Sequence, residues 1–384
     1  MSTGGTEKFL RNLARGLADA GWDVTYFYCD ASPYLGSDYK HGDTNSYVLK
    51  EFSSTKVSIR KFRVEFKDVR TRTHDWINTD FFEIFREKDF DIIITGRAGH
   101  PEYPFTKIRR TPIIDTIHLK TTIDDQVNIV RVLHLSQENA NHWIGIGGDK
   151  SKVRVVSHPI NGNFLSQDNF RKELGITTSF VMGFHQRASD AIFSDTPLLA
   201  FSKLSDRYDV SFVLLGGSQK YQYQARELNL KNIFFLEETG SQETIDKFLN
   251  TLNIYSHGRK DGEINSTAIA EALKHGLPVV THSTDLNNGH GEQISTCGFF
   301  SRNLDEYVRN VEVLLTNPRM RLSLAKHAQK KFAYAYEFSA QIKSIEKVVG
   351  EVLNLTNHPI KKIITYSQNL IRLYKRKFCT LLNL

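Results

Sequence analysis

The sequence predicts an α/β protein with two doubly wound halves and a helical end. Three observations carry this. Short β-branched runs such as Phe90-Asp-Ile-Ile-Ile-Thr95 and Pro112-Ile-Ile-Asp-Thr-Ile117 alternate with amphipathic stretches. That alternation is the mark of mostly parallel sheets covered by helices on both faces. The scheme starts again after a break at Ser157-His-Pro-Ile-Asn-Gly-Asn163, whose Pro, Gly and Asn residues suit a linker. Beyond Asn303 only helical periodicity remains. A length of 384 residues fits two domains rather than one.

In order, 6–20 reads as an amphipathic helix with Phe9, Leu10, Leu13 and Leu17 on one face, and Gly21 stands where a helix is capped. Strands are expected at 23–28, 90–95, 112–117, 130–136 and 152–156. Residues 55–72 are basic and alternate with apolar positions, which suits a strand pair or an acceptor-side face. The second half places strands at 179–184, 209–215, 232–236, 252–256 and 278–281, with helices at 196–205, 219–228, 242–250 and 266–274. Helices at 305–315, 318–333 and 338–354 complete the chain. Open sheets of this kind bind ligands beyond the C-terminal ends of their strands, so two facing halves would enclose a cleft there.

Composition narrows the class. Hydrophobic residues make up 40% and charged residues 24%, the profile of a globular protein. No apolar run reaches membrane-spanning length, and Met1-Ser-Thr-Gly-Gly-Thr-Glu-Lys-Phe-Leu10 lacks a signal-peptide layout. Three scattered cysteines, Cys29, Cys297 and Cys379, suggest neither a disulfide framework nor a zinc cluster, so a cytoplasmic setting is expected. Of the net charge of +7, six positives follow Glu351, where no acidic residue stands, leaving +1 for the rest. That points to a local anionic partner for the tail, not to nucleic-acid binding by the body.

The chemistry concentrates in 262–280, Gly-Glu-Ile-Asn-Ser-Thr-Ala-Ile-Ala-Glu-Ala-Leu-Lys-His-Gly-Leu-Pro-Val-Val. Asn265 or Ser266 can cap the helix that follows, and Gly276 can end it before Pro278. Glu263 then lies just before the helix and Glu271 within it. Both can reach the space above the first turn, where free N–H groups and the helix dipole favour a diphosphate. Carboxylates there can accept hydrogen bonds from sugar hydroxyls. The bland alternative is a solvated glutamate paired with Lys274 three positions on.

This segment resembles the paired-glutamate motif of retaining glycosyltransferases of the GT-B fold, in particular the family 4 group. Ala272, Gly276 and Pro278-Val-Val280 match that family's continuation. The resemblance implies two Rossmann-like domains facing across a cleft, with C-terminal helices. It divides the chain into an acceptor domain at 1–158, a donor domain at 159–335, a helix at 336–354 returning to the first domain, and a basic tail at 355–384. It implies that Glu263 contacts the donor sugar and Glu271 the ribose, with Asn265, Ser266 and Thr267 at the donor. Gly4 and Gly5 resemble the family's N-terminal glycine loop, and Gly216-Gly217 after Val213-Leu-Leu its strand-to-glycine step. His118 matches a histidine facing the donor sugar, and Glu292 an acidic position near the donor. The family's first strand precedes the glycine loop, where this chain begins, so an incomplete N-terminus is expected.

Two departures mark a divergent member. The family's Arg and Lys after the first strand of the donor domain neutralise the diphosphate. Here, in Gly183-Phe-His-Gln-Arg-Ala-Ser-Asp190, Arg187 supplies the arginine but no lysine follows before Lys203. His185 or a residue from elsewhere is the expected substitute. The loop after Glu263 reads Ile-Asn-Ser in place of Gly-Phe-Gly. The implied reaction is metal-independent transfer of a sugar, with retention, from a UDP- or GDP-sugar to a glycan or lipid-linked acceptor, with no cofactor. Glu263, Arg187 and His118 are the expected catalytic set. A non-catalytic scaffold of the same fold stays open. A nucleotide-dependent oxidoreductase or epimerase would require a Gly-x-Gly-x-x-Gly after a first strand, which is absent. In the tail, Ile360, Ile363, Ile364, Ile371, Tyr374, Phe378 and Leu381 recur at helical spacing among the basic residues. Residues 360–384 thus read as a basic amphipathic helix for an anionic membrane, on its cytoplasmic face.

Overall fold

A computed structural model describes residues 5–29, 44–68, 70, 75–96, 101–120, 122–124 and 126–357. Gly4 and the tail at 360–384 lie outside the described residues. The chain divides into two compact units, one built on Thr6–Val156 with the chain from Ile342, the other on Ser157–Gln341.

The first unit opens with α1 (Gly5–Asp19), which buries Phe9, Leu13, Ala14, Leu17 and Ala18. It ends in a Schellman turn: Trp22 N–H reaches Leu17 O at 3.0 Å, and Gly21 N–H reaches Ala18 O at 3.1 Å. Gly21 takes φ +98°, which a side chain would oppose. The chain then forms β1 (Thr25–Cys29), α2 (Thr44–Phe52), β2 (Ser58–Phe62), β3 (Phe66–Asp68), β4 (Asp75–Ile77) and α3 (Phe81–Ile84). It continues through β5 (Ile93–Thr95), β6 (Ile113–Ile117), β7 (Ile129–His134), α4 (Gln137–Gly145) and β8 (Val153–Val155). Strands β5-β6-β7-β8 form a parallel sheet; β6 is buried at every position, as a strand covered on both faces must be. Strands β1 and β2 pair in parallel as a separate sheet, and β3 pairs with β4 antiparallel. The basic stretch 55–72 therefore holds two strands, β2 and β3, that pair outside it rather than with each other. Among the described residues no ladder joins the β1-β2 pair to the β5-β6-β7-β8 sheet.

The helix α12 (Phe338–Asn357) holds to this unit by polar ties. Glu346 accepts from Trp22 Nε1 at 3.0 Å, and Glu351 accepts from Arg154 at 2.6 Å and Arg131 at 3.3 Å.

In the second unit, β9 (Phe180–Gln186), α5 (Thr196–Ser205), β10 (Val210–Gly216), α6 (Lys220–Glu227), β11 (Ile233–Leu236) and α7 (Gln242–Thr251) come first. They are followed by β12 (Ile254–Ser256), α8 (Thr267–Lys274), β13 (Val279–His282), α9 (Gly289–Ile294), β14 (Gly298–Ser301), α10 (Leu304–Thr316) and α11 (Pro318–Ala335). The six strands are parallel in the order β11-β10-β9-β12-β13-β14. Counted within the unit this is 3-2-1-4-5-6, the doubly wound order with its switch point between β9 and β12. The strand β14 and the helix α9 fall in a stretch to which the sequence pattern gave no element. Both units are mixed α/β with parallel sheets, and helices close the chain.

Helix α8 is buried from Ile269 to Lys274. At its far end, Lys274 turns away from Glu271. Its ammonium meets Asp246 at 3.1 Å and Asn163 O at 2.7 Å, and lies 4.7 Å from the Phe164 ring centroid. His275 Nε2 reaches the same Asp246 oxygen at 3.0 Å, and Leu165 N–H donates to the other at 2.7 Å. A fully buried carboxylate thus ties α7, α8 and the segment entering the unit. Removing one member of a buried ion pair leaves an uncompensated charge, at a cost of about 3–5 kcal/mol. Asp246→Ala should lower the denaturation free energy by that amount, measured by urea unfolding.

Candidate functional site

The switch point sets where a ligand-binding crevice can form: beyond the C-terminal ends of β9 and β12. Four segments converge there. Strand β9 ends in His185 and Gln186, and Arg187 follows. Strand β10 ends at Gly216, and Gly217 N–H donates back to Gln186 O at 2.8 Å. Both glycines take positive φ, +75° and +82°, and a Cβ on Gly216 would sit 2.2 Å from Gln186 O. The glycine step therefore folds the loop tightly onto the end of β9. A cavity of about 390 Å³ lies beside it, lined by Ala188, Asp190, Ser218, Gln219, Lys220 and Tyr223. Lys220 reaches Asp190 at 3.5 Å on its rim.

The loop after β12 carries Glu263 into α8. Ser266 caps the helix by accepting from Ile269 N–H at 3.3 Å. Ser266 is itself held by Gln293, which accepts from its N–H at 2.8 Å and donates to its carbonyl at 2.7 Å. Ala270 N–H closes on Ser266 O. The N–H groups of Thr267 and Ala268 remain for a ligand, at the positive end of the helix dipole. Helix α8 ends in a second Schellman turn, with Leu277 N–H on Ala272 O and Gly276 N–H on Leu273 O, both 3.0 Å.

Each glutamate has a histidine partner. Glu271, its side chain 4% exposed, meets His185 Nε2 at 3.0 Å, and His185 Nδ1 meets the Tyr255 hydroxyl at 3.2 Å. Glu263, 18% exposed, meets His257 Nε2 at 3.0 Å and accepts from Arg259 Nη1 at 3.2 Å. His257 Nδ1 lies 2.9 Å from the Thr281 hydroxyl. The His257 ring stacks on Tyr255 at 6.2 Å, so the two pairs meet at one tyrosine. Tyr255 is raised well above the usual phenol range, first by burial, with both carboxylates adding to the rise.

The charge states follow from these surroundings. Burial pushes His257 down to about 4, against the pull of Glu263. At neutral pH it is therefore uncharged, and the partners assign its tautomer: Nε2–H donates to the carboxylate and Nδ1 accepts from Thr281. Burial alone would raise Glu263. The Arg259 charge and the hydrogen bonds from His257 and Ser266 outweigh it and hold the carboxyl below the usual range. Arg259 also donates to both oxygens of Asp261, at 2.6 and 3.1 Å. The Glu263 backbone is fixed too: its N–H donates to His290 Nδ1 at 3.2 Å, and its carbonyl accepts from His290 N–H at 3.0 Å.

The sequence-derived residues are thus distributed as follows. Glu263, Ser266 and Thr267 share the mouth of α8, with Asn265 half-buried in the same loop. Glu271 and His185 form a pair, and Arg187, Gly216 and Gly217 lie at the ends of β9 and β10. Glu292 is exposed on α9. Its carbonyl accepts from Lys331 at 3.0 Å, on the side of a larger cavity, about 590 Å³, between α11 and the turn before β14. His118 belongs to the other unit, just after β6, where its ring packs edge-on against Phe9 at 5.2 Å and meets Thr116 Oγ1 at 3.2 Å. Gly5 begins α1. Glu271 pairs with His185 and not with Lys274, against the bland alternative. Sequence reasoning missed His257, Arg259 and Tyr255. The available signal was their place, at or just beyond the C-terminal end of a strand leading to Glu263.

Residues 166–331 match the family described as glycosyl transferases group 1. Among solved structures, a glycosyltransferase from Rickettsia africae matches with a TM-score of 0.70 at 13% identity, covering 92% of this chain and 96% of that one. HepE (Alr3699) of Anabaena in complex with UDP matches at 0.68 and 14%, covering 91% and 97%. Sucrose-phosphate synthase of Thermosynechococcus elongatus matches at 0.64 and 14%, covering 92% and 94%. At such identities the likeness is one of fold. No curated protein matches the sequence.

The buried histidines make the fold acid-sensitive in a defined window. His257 and His134 are both lowered to about 4, by burial first in each case. Below the unfolded value near 6.5 the unfolded chain takes up these protons and the folded chain does not. Stability should therefore fall as pH drops from about 6.5 toward 4. In thermal melts between pH 7.5 and 5, His257→Gln should show a shallower decline than the unsubstituted protein.

Proposed function

We propose, from the premise that residues 166–331 form a glycosyl transferases group 1 domain, that this chain moves a sugar from a nucleoside-diphosphate sugar to a glycan or lipid-linked acceptor, with retention and without metal. The observation that carries the reading is a charged, oriented Glu263 at the open N-terminus of α8. An ionised carboxylate only accepts hydrogen bonds, so it suits sugar hydroxyls. His257 and Arg259 each occupy one lone pair on separate oxygens, Ser266 donates to the same carboxylate, and the remaining acceptor capacity is what substrate would use.

The remaining roles follow from placement. The Thr267 and Ala268 N–H groups and Arg187 would receive the diphosphate, as preorganised donors aimed where charge develops on the leaving group. Lys220, at the rim beside the glycine step, is our candidate for the second cation, in place of the lysine absent after Arg187. Glu271, held by His185, is the carboxylate we place at the ribose. His118, Gly4, Gly5, Asn265 and Glu292 keep the roles that the resemblance implies. Uridine is the favoured base, because HepE, similar in fold, was crystallised with UDP and with UDP-glucose. No helix among the described residues is long and apolar enough to cross a membrane. We assign the basic tail at 360–384 to peripheral binding at an anionic, cytoplasmic membrane face.

Two experiments test this. A thermal-shift screen of UDP-, GDP- and other nucleotide sugars should find one base that raises the melting temperature with concentration. With that donor, Glu263→Gln and Arg187→Ala should each lower kcat/KM by about 10²–10³-fold while melting cooperatively. Full activity in either variant rejects the site. For the tail, the chain ending at Asn357 should lose most of its co-sedimentation with vesicles containing phosphatidylglycerol. Equal sedimentation of both chains rejects that role.

A further inference from the structure

We propose that Arg259, with Asp261 as its anchor, is a positioning residue that sets the orientation and the ionised state of Glu263. The proposal rests on reading Glu263 as the sugar-binding carboxylate, but it concerns a residue to which that reading gives no task.

The geometry distinguishes this from an incidental bridge between neighbours. An Arg and an Asp two positions apart on a solvated loop would contribute little. Here the Arg259 side chain is 23% exposed and each of its three nitrogens is directed at a carboxylate. Nε and Nη2 go to the two oxygens of Asp261, and Nη1 goes to Glu263 Oε1 at 3.2 Å. Asp261 therefore fixes the plane of the guanidinium, and that plane presents its third donor to Glu263. The loop holding the three residues cannot relax. At Gly258 a Cβ would lie 2.4 Å from Pro197, and at Gly262, with φ +62°, 1.8 Å from Asn287 O. Asn287 Nδ2 also donates to Asp261 O at 3.0 Å. The loop is thus pinned on both sides of the arginine.

Among the described residues in contact with Glu263, Arg259 brings the positive charge. His257, from the end of β12, is neutral and supplies a hydrogen bond. Asp261 is negative and turned to Arg259. Tyr255 of β12 is protonated, and Ser266 at the cap of α8 is neutral. His290 of α9 engages only the backbone of Glu263, its Nε2–H being given to His282 O at 2.8 Å. Desolvation favours the protonated acid at such a position, and a protonated acid has one fewer acceptor for sugar hydroxyls. Without the guanidinium, burial should therefore return the proton to Glu263 within the working pH range.

The test compares Arg259→Gln and Arg259→Lys in the full chain. With the donor found by thermal shift, kcat/KM is measured from pH 5 to 9. For Arg259→Gln the acid limb should move up by at least one pH unit, so the loss at pH 5.5 exceeds the loss at pH 8.5 by at least tenfold. Arg259→Lys keeps the charge and loses the fork. It should restore the acid limb while retaining a raised KM for the donor. A loss equal at all pH values in Arg259→Gln overturns the proposal, because a merely structural role predicts that flat profile. A second readout needs no turnover: carboxyl-carbon NMR of glutamate-labelled protein, with Glu263 assigned by Glu263→Gln. The Glu263 signal should titrate in Arg259→Gln between pH 5 and 7 and stay flat in the unsubstituted protein. If it stays flat in both, the proposal fails whatever the enzyme does. If it titrates but no sugar is transferred by the unsubstituted chain, the proposal stands and the functional reading fails.

Discussion

Strand β9 has β10 on one side and β12 on the other, and their connections wind in opposite directions around it. Everything at the site depends on that arrangement. It leaves a gap between outgoing loops at one end of the sheet, and the loops after β9, β10 and β12 all enter it. The pairing is close at Gly183, which faces Val213 on β10 and Tyr255 on β12. A Cβ there would lie 1.9 Å from Val213 O, so this position of β9 admits only glycine. Tight pairing then fixes how far His185 and Arg187 project, because a strand allows its residues no independent displacement along the chain.

The second constraint is the burial of charge. Two carboxylates at the mouth of one helix repel each other and lose solvation, which destabilises the fold unless each finds donors. The structure answers them differently. Glu271 is nearly sealed off and takes its donor from His185, itself held by Tyr255. Glu263 keeps more exposure and takes neutral donors from His257 and Ser266 and a charged one from Arg259. Tyr255 stands between the pairs, so displacement of either imidazole disturbs the other. The carboxylates are therefore part of one polar network whose members have few alternative arrangements.

The sequence made much of this legible, and the limits have physical causes. Helix α8 was readable within one residue because Ser266 caps it and Gly276 with Pro278 ends it; these are local signals. The strands of the second unit were readable because burial on both faces demands continuous apolar runs, as in Val210–Gly216. Strand β14, Gly-Phe-Phe-Ser, is short and on the sheet edge, where little apolar length is needed. Helix α4, Gln-Glu-Asn-Ala-Asn-His-Trp-Ile-Gly, has weak apolar periodicity and depends on Ser136 and on packing of Trp143. Strands β2 and β3 could be suspected from alternation, but alternation does not name a partner strand. Glu263 and Glu271 carry a spacing signal. Their partners do not, because His185 lies 86 positions from Glu271 and meets it only through the sheet. Lys274 is the converse. It stands at helical spacing from Glu271, yet the buried Asp246, 28 positions away, takes it.

Arg259, in the Glu263 loop, is not a substitute for the lysine absent after Arg187. Arg259 is the strongest cation there, but it faces Asp261 and Glu263 together, so the cluster carries a net charge of minus one. Three of its five N–H donors are directed at these carboxylates. His257 and His185 are also committed, the first as a neutral donor to Glu263 and the second between Glu271 and Tyr255. On the function proposed above, positive potential for the donor comes from the helix N–H groups, from Arg187 and from the rim lysine Lys220. Lys220 pairs with Asp190 at 3.5 Å and lies 6.0 Å from the Phe193 ring centroid, and the Lys220 and Asp190 side chains are both more than half exposed. That contact is weak enough to exchange for a diphosphate, because an exposed pair contributes about 0–1 kcal/mol. The loop at Glu263 thus holds a negative charge in place, and the rim carries an exposed lysine in a weak pair.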